Sequence, residues 1–142
     1  MLEILRPLPR CLKKVWAGGL LSEWWGQGAG VGEVWIVSDV AGSSSPLATG
    51  AELREAVAQD PEAILGPRLL AEQQARDEEP RFPYLIKLVD IGPPISVQLH
   101  PDGATARALG DGPKGKAEAW LTLATREDAQ VYAGVSLSLI HI

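Results

Sequence analysis

The sequence predicts a mostly β fold that carries one helical insertion. Short apolar runs alternate with Gly- and Pro-rich breaks, and runs of this length between such breaks favour strands over helices. One region, residues 49–79, instead has helix-capping residues and helical spacing of its apolar positions. Strands interrupted by one helical block indicate a sheet-based core with an inserted helical segment. The predicted strands are residues 34–37, 84–89, 95–99, 120–124 and 129–135.

Composition restricts the functions that this chain can serve. Its 142 residues suffice for one domain with a core, and a net charge of −5 argues against nucleic-acid binding. No apolar stretch approaches the ~18 residues of a membrane-spanning helix. One cysteine, Cys11, and two histidines, His100 and His141, exclude metal sites rich in thiolates or imidazoles, so a metal would need oxygen ligands. The N-terminal residues lack the order of a secretory signal, and a cytoplasmic protein is therefore expected.

A glycine-rich loop at residues 26–32 precedes the first predicted strand. Its sequence, GQGAGVG, resembles a phosphate-binding loop in composition, but such a loop follows a strand and opens a helix. Here the loop leads directly into the strand pattern that contains Glu33. A connecting loop is therefore predicted rather than a nucleotide site.

The insertion is predicted to contain three helical stretches. Thr49 as N-cap and Glu52 three residues later fit a capping box. A proline directly after Asp60 marks a second helix start, since proline is favoured at the first helical position. The Gly-Pro pair at 66–67 interrupts this helix, and the polar residues 68–79 are expected to form a third, solvated stretch.

Lys87 stands alone in the otherwise apolar strand 84–89. A lysine in such a strand is costly unless it is paired or in contact with water. It can serve as an edge residue that prevents pairing between sheets, or as a cation that binds an anion in a cavity. The sequence leaves both interpretations open.

Residues 95–100 alternate between apolar and polar positions. In a strand this pattern places Ser96, Gln98 and His100 on one face, where an amide oxygen and an imidazole nitrogen form neighbouring ligand directions. The alternative is a solvated strand face with an exposed histidine.

A second predicted strand carries Lys116 and Glu118 at the same parity. If both strands line the inside of a barrel, Glu118 meets Gln98 and His100. Amide, imidazole and carboxylate donors together suit a divalent ion such as Zn²⁺. Lys116 would then place a cation on the same face.

Five segments, in order along the chain, resemble the motifs of type I mannose-6-phosphate isomerases, which are cupin-fold metalloenzymes. Each segment alone is a weak signal, whereas five in sequence from Trp16 to Trp120 are specific and cover most of the chain. The segments are KVWAG at 14–18, GEVWIVSD at 32–39, FPYLIKLVD at 82–90, SVQLHPD at 96–102 and GKAEAW at 115–120.

The resemblance implies an incomplete cupin-type jelly-roll barrel and an enzyme that interconverts mannose 6-phosphate and fructose 6-phosphate. It implies one Zn²⁺ per subunit, held by Gln98, His100 and Glu118. The implied partner is a small-molecule sugar phosphate, with no nucleic acid or membrane. The remaining implied roles are a catalytic lysine near the reacting carbons, Lys116, and four substrate-binding residues: Trp16 and Glu33 in the pocket wall, and Lys87 and Ser96 at the sugar phosphate.

Residues 1–135 resemble the N-terminal part of the family's domain. The family's fourth metal ligand, a histidine from a later strand, and its arginine have no match here, so a truncated isomerase with exposed strand edges and little activity alone is expected. Residues 136–142, which include His141, are interpreted as a tail of doubtful origin outside the site. The alternative function is a non-catalytic cupin module that binds a sugar or sugar phosphate. Lys116 beside Glu118 favours the enzyme.

Overall fold

The computed structural model describes residues 4–98, 100–110 and 114–131. The chain divides into two compact units, Met1–Ser96 and Val97–Ile142. The strands are β1 (Arg10–Lys13), β2 (Val31–Val37), β3 (Asp39–Val40), β4 (Ser43–Ser44) and β5 (Ile86–Val89), and the helices are α1 (Leu20–Trp25), α2 (Leu53–Gln59), α3 (Pro61–Gln74) and α4 (Gly103–Ala108).

The first unit is built on a three-stranded antiparallel sheet in the order β1-β2-β5. Alternation along β2 gives this sheet two different faces. Val34 is fully buried and lies opposite Cys11 on β1 and Leu88 on β5, and Leu21 of α1 packs onto this apolar face. Glu33 has the opposite parity and is directed to the other face.

The glycine-rich loop leads into β2 as predicted, and β2 begins at Val31. Gly28 and Gly30 have φ values of 74° and 92°, a region that residues with a Cβ avoid. These glycines therefore shape a turn that returns the chain to the sheet, and the prediction of a connecting loop is confirmed.

The helical insertion is confirmed, but its first cap is not the predicted one. Glu52, rather than Thr49, is the N-cap of α2, and the Glu55 carboxylate accepts a 3.0 Å hydrogen bond from the Glu52 backbone N–H. The Thr49 prediction was wrong because Gly50 has a φ of 91°, which a right-handed helix does not allow. The helix therefore begins later, at Leu53.

The other two boundaries of the insertion agree with the sequence. Asp60 caps α3, where its carboxylate accepts a 3.1 Å hydrogen bond from the Ala63 backbone N–H. Gly66, at φ 76° and ψ 159°, breaks the helical path inside α3 as predicted. The regular helix ends at Gln74, so residues 75–79 of the predicted stretch 68–79 are not helical.

Three predicted strands, 95–99, 120–124 and 129–135, are not seen as strands in the residues that the structure describes, and positions 99 and 132–135 lie outside those residues. Residues 95–98, 120–124 and 129–131 have no regular secondary structure, and the described parts of the chain do not form a closed barrel. Alternation specifies which side chains share a face, but a strand also needs a neighbour for its backbone groups. Val97 is 89% exposed and Leu121 is 83% exposed, so neither apolar side chain has found a covering surface.

The second unit contains one short helix, α4, among its described residues. Asp102 is its N-cap and accepts a 2.8 Å hydrogen bond from the Thr105 backbone N–H. The predicted tail at 136–142, with His141, lies outside the described residues. Within the ranges that the structure describes, no helix has both the length and the apolarity that crossing a membrane requires.

Candidate active site

Four side chains meet on one face of the sheet in the first unit, and two of them, Glu33 and Lys87, are predicted substrate-binding residues. Lys87 Nζ donates a 3.2 Å hydrogen bond to Glu33 Oε1, and Trp35 Nε1 donates a 2.8 Å hydrogen bond to Glu33 Oε2. Lys14 Nζ lies 3.8 Å from the same Oε2. The Glu33 side chain is 9% exposed, whereas those of Lys14 and Lys87 are 35% and 23% exposed. We call these four residues the Glu33 cluster.

Strand register explains why the Glu33 cluster forms. Glu33 and Trp35 are two residues apart on β2 and therefore share a face. Lys87 lies directly opposite Trp35 on β5, so its side chain emerges beside both. Lys87 stands on an edge strand of this sheet, and its ion pair with Glu33 offsets the cost of half-burying an ammonium.

Glu33 is held in its ionised form. Burial raises the pKa of its carboxyl. The indole hydrogen bond from Trp35 and the positive charges of Lys87 and Lys14 together lower that pKa by more than burial raises it, so the net pKa shift is downward. The ionised carboxylate faces two ammonium groups and leaves the cluster with an excess positive charge. Such a group favours anionic ligands.

Trp16 and Ser96, the other two predicted substrate-binding residues of this unit, lie outside the Glu33 cluster. Trp16 is half-buried in the turn after β1, and its backbone carbonyl accepts a 2.9 Å hydrogen bond from the Gly92 N–H. Its ring covers the backbone at Gly32. Ser96 is exposed at the end of the first unit.

The second unit brings together three predicted site residues. His100 Nε2 and Glu118 Oε2 are 2.7 Å apart, and Lys116 Nζ lies 3.5 Å from the same carboxylate oxygen. The side chains of His100 and Glu118 are 27% and 21% exposed, so both are reachable from solvent. Gln98, the remaining predicted ligand, is exposed.

Gly115 allows the two segments of this His100–Glu118 pair to approach each other. A Cβ at this position would overlap the backbone carbonyl of Pro101 and would lie 2.7 Å from the carbonyl carbon of Asp102. Only glycine lets the chain pass this close to the residues that follow His100. Glu118, three residues later, then reaches the imidazole.

The surroundings of Glu118 keep its carboxylate ionised. Burial raises its pKa, whereas the hydrogen bond from His100 and the charge of Lys116 lower it by more, and the net pKa shift is downward. Imidazole nitrogen and carboxylate oxygen are both zinc donors, so this pair fits the chemistry of a zinc site. Across the described residues, no group of three or more His, Cys, Asp or Glu side chains converges. A third protein ligand from that part of the chain would therefore have to be of another type, such as an amide.

Sequence reasoning missed three residues that support these groups. Trp35 was not assigned a role, although its position two residues after Glu33 in a predicted strand is enough to place both on one face. Lys14 belongs to the first of the five motif segments but was not assigned either. Arg54, which pairs with the buried Asp39, carries no signal in the sequence because the contact joins a helix to a distant strand.

The fold resembles that of a solved enzyme. It matches the mannose 6-phosphate isomerase from Bacillus subtilis with a TM-score of 0.62 and 27% identity, over 78% of this chain and 34% of that one. Its small sheets with inserted helices therefore place this chain in the same structural class as that enzyme. The family described as phosphomannose isomerase type I, catalytic domain, matches residues 25–134, and this chain belongs to that family.

Curated relatives agree with this assignment. The probable mannose-6-phosphate isomerase GmuF of Bacillus subtilis is 33% identical over 130 residues, which are 86% of this chain and 38% of that protein. The mannose-6-phosphate isomerase of Streptococcus mutans is 29% identical over 129 residues, which are 86% of this chain and 37% of that protein. The chain thus spans less than two fifths of the length of these relatives.

Proposed function

We propose that this chain contributes to a metal-dependent aldose–ketose isomerase that interconverts mannose 6-phosphate and fructose 6-phosphate in the cytoplasm. The observation that carries the proposal is the contact of His100, Glu118 and Lys116 inside the region that matches the isomerase family. A metal-donor pair with an ammonium at its edge is what such an isomerisation needs. The names of the relatives support the same substrate.

The reaction moves a proton between C1 and C2 of the sugar through an enediol, and it must stabilise negative charge on the sugar oxygens. We assign that stabilisation in part to Lys116, whose side chain is 54% exposed and whose ammonium lies beside Glu118. Because Glu118 occupies only one side of this ammonium, its remaining N–H donors are available to a substrate oxygen.

We assign the zinc site to Gln98, His100 and Glu118, with one ion per subunit. Bound Zn²⁺ would polarise the substrate oxygens and so acidify the transferred proton. The protein's own contribution is to keep Glu118 ionised and to hold the imidazole against it. Since a ligand must be deprotonated to bind a metal, the lowered pKa of Glu118 would extend zinc binding to more acidic pH.

We assign the anionic end of the substrate to Lys87 and Ser96, with Trp16 and Glu33 in the pocket wall. The excess positive charge of the Glu33 cluster supports this assignment. We further propose that the complete enzyme is a cupin-type barrel with more strands than the described residues contain. The exposed apolar side chains of Val97 and Leu121 support this because additional strands would cover them.

Zinc binding gives a direct test of the metal site. Zinc is titrated into the purified chain, and into the variants His100→Ala and Glu118→Gln, with calorimetric detection. Glu127→Gln is the matched control, because it makes the same charge change on an exposed side chain of the same unit. Zinc binding that weakens in both site variants and persists in the control supports the proposal. Equal binding in all four proteins contradicts it.

Turnover separates an enzyme from a binding module. Fructose 6-phosphate formation is followed in a coupled assay on this chain and on any longer product of the same coding region. Turnover that disappears with Lys116→Met supports the isomerase. Mannose 6-phosphate binding without turnover in every product would favour a non-catalytic sugar-binding module instead.

A further inference from the structure

One lysine of the Glu33 cluster, Lys14, has no role in the proposed function. Lys14 Nζ lies 3.8 Å from Glu33 Oε2, which is an ion pair but too long for a hydrogen bond. Trp35 Nε1 already donates to that oxygen at 2.8 Å. Lys14 therefore contributes charge to the cluster while its N–H donors are directed to no acceptor among the described residues.

The charges of the cluster do not cancel. Lys14 and Lys87 each carry a positive charge, and the Glu33 carboxylate neutralises one of them. Lys87 uses one of its three donors on Glu33 Oε1. Two half-exposed ammonium groups thus share one buried counter-ion and retain several free donors. The cluster thus offers one net positive charge and several N–H donors, which favour a phosphate oxygen as the ligand.

The backbone around Lys14 is built to bring this residue against β2. Its N–H donates a 2.8 Å hydrogen bond to the carbonyl of Gly30, and its carbonyl accepts a 3.2 Å bond from the Ala17 N–H. A Cβ at Gly32 would lie 2.6 Å from Lys14 Cβ and 2.9 Å from Cγ. Glycine at position 32 therefore makes room for the aliphatic part of Lys14, and the ammonium is positioned before any ligand arrives.

We propose that Lys14 is a second phosphate-binding residue, which acts with Lys87 on the same anionic group while Glu33 and Trp35 hold the two ammonium groups in place. The proposal rests on the proposed function for the identity of the ligand as a sugar phosphate. The anion site itself rests only on the geometry of the Glu33 cluster.

Phosphate titration of this chain tests the proposal without metal or turnover. Inorganic phosphate, and separately mannose 6-phosphate, is titrated into the protein and followed by backbone NMR shifts. Lys14→Gln is expected to weaken binding about three- to tenfold, as expected for the loss of one charge-assisted contact at a partly exposed site. Lys14→Arg keeps the charge and is expected to recover most of the affinity.

Lys13→Gln is the matched control. Lys13 is the neighbouring residue and is exposed, and its substitution by glutamine changes the net charge by the same amount. Wild-type affinity in Lys13→Gln together with weak binding in Lys14→Gln supports a specific contact. Equal losses in the two variants would indicate only a change in the overall field, and would overturn the proposal.

A measurement on the unmutated protein covers the case in which Lys14→Gln does not fold. The side-chain ammonium signals of Lys14 and Lys87 are both expected to shift as phosphate is added. A shift of Lys87 alone, or no shift of either, overturns the proposal. The zinc titration of Glu118→Gln is independent of this result, so the anion site and the proposed isomerase can fail separately.

Discussion

Asp39 accepts a 3.0 Å hydrogen bond from Arg54 Nε through a carboxylate that is completely buried. Its second oxygen accepts a 3.0 Å hydrogen bond from the Phe82 backbone N–H. One side chain at the start of β3 thereby ties α2 to the segment that enters β5. The ion pair organises the first unit around the sheet that carries the Glu33 cluster.

Asp39→Asn is expected to destabilise the chain by about 3 kcal/mol, because the amide offers one acceptor where two donors need one each, and it leaves Arg54 with the exposed Glu79 in place of a buried counter-ion. The free energy of unfolding is measured by urea denaturation. Glu72→Gln is the control, since Glu72 forms an exposed pair with Arg68 one helical turn away. Removing that pair should lower the free energy of unfolding by less than about 0.5 kcal/mol. Comparable losses in the two variants would contradict the structural role of Asp39.

Acid is expected to destabilise the protein partly through Glu33. The folded-state pKa of Glu33 lies below its ordinary value of 4.5, so its contribution to stability is complete above that value and is lost as the pH falls through the lowered one. Glu33→Gln should therefore show a shallower decline of unfolding free energy in acid than the wild type. Glu62→Gln, an exposed site in α3, serves as control. An unchanged slope in Glu33→Gln would show that the two lysines do not act on this carboxylate.

Trp35→Phe separates the indole hydrogen bond from the lysine charges. Phenylalanine keeps an aromatic ring on β2 but removes the 2.8 Å donor to Glu33. Since that bond lowers the pKa of Glu33, its loss brings the folded-state pKa closer to the ordinary value, so the part of the acid-induced decline that Glu33 causes should become smaller and end at a higher pH. The measurement is urea denaturation across the acidic range. A curve that coincides with the wild type would indicate that the indole does not hold the carboxylate.

Sequence patterns predicted the fold where both sides of a contact lie close along the chain. The Asp60 cap, the break at Gly66 and the loop before β2 all depend on neighbouring residues, and each is present in the structure. The predicted strand at 120–124 failed for the opposite reason. Its short apolar run has the length of a strand, but strand character also depends on a partner that the described residues do not supply.

The same distinction applies to the candidate site. The apolar strand around Lys87 and the motif segment around Glu33 single out these two residues, yet their pairing depends on the register of β2 against β5, which local pattern does not encode. Arg54 had no signal at all, because a surface-type residue in a short helix gives no indication that it will meet the buried Asp39. The sequence therefore points to candidate residues for the site, whereas it does not show which residues position them.

Gly115→Ala tests whether backbone packing, and not only ligand identity, creates the proposed metal site. The added methyl would collide with the backbone of Pro101 and Asp102, so the chain must move away from the residues after His100. We expect zinc affinity to fall by at least about tenfold although no ligand has changed, since ligand placement controls affinity. Ala119→Gly, at an exposed position of the same segment, is the control, with zinc binding measured by calorimetry and folding by the Asp102-capped α4 signals in NMR. Unaltered zinc affinity in Gly115→Ala would show that the 2.7 Å approach of His100 and Glu118 does not depend on this close contact.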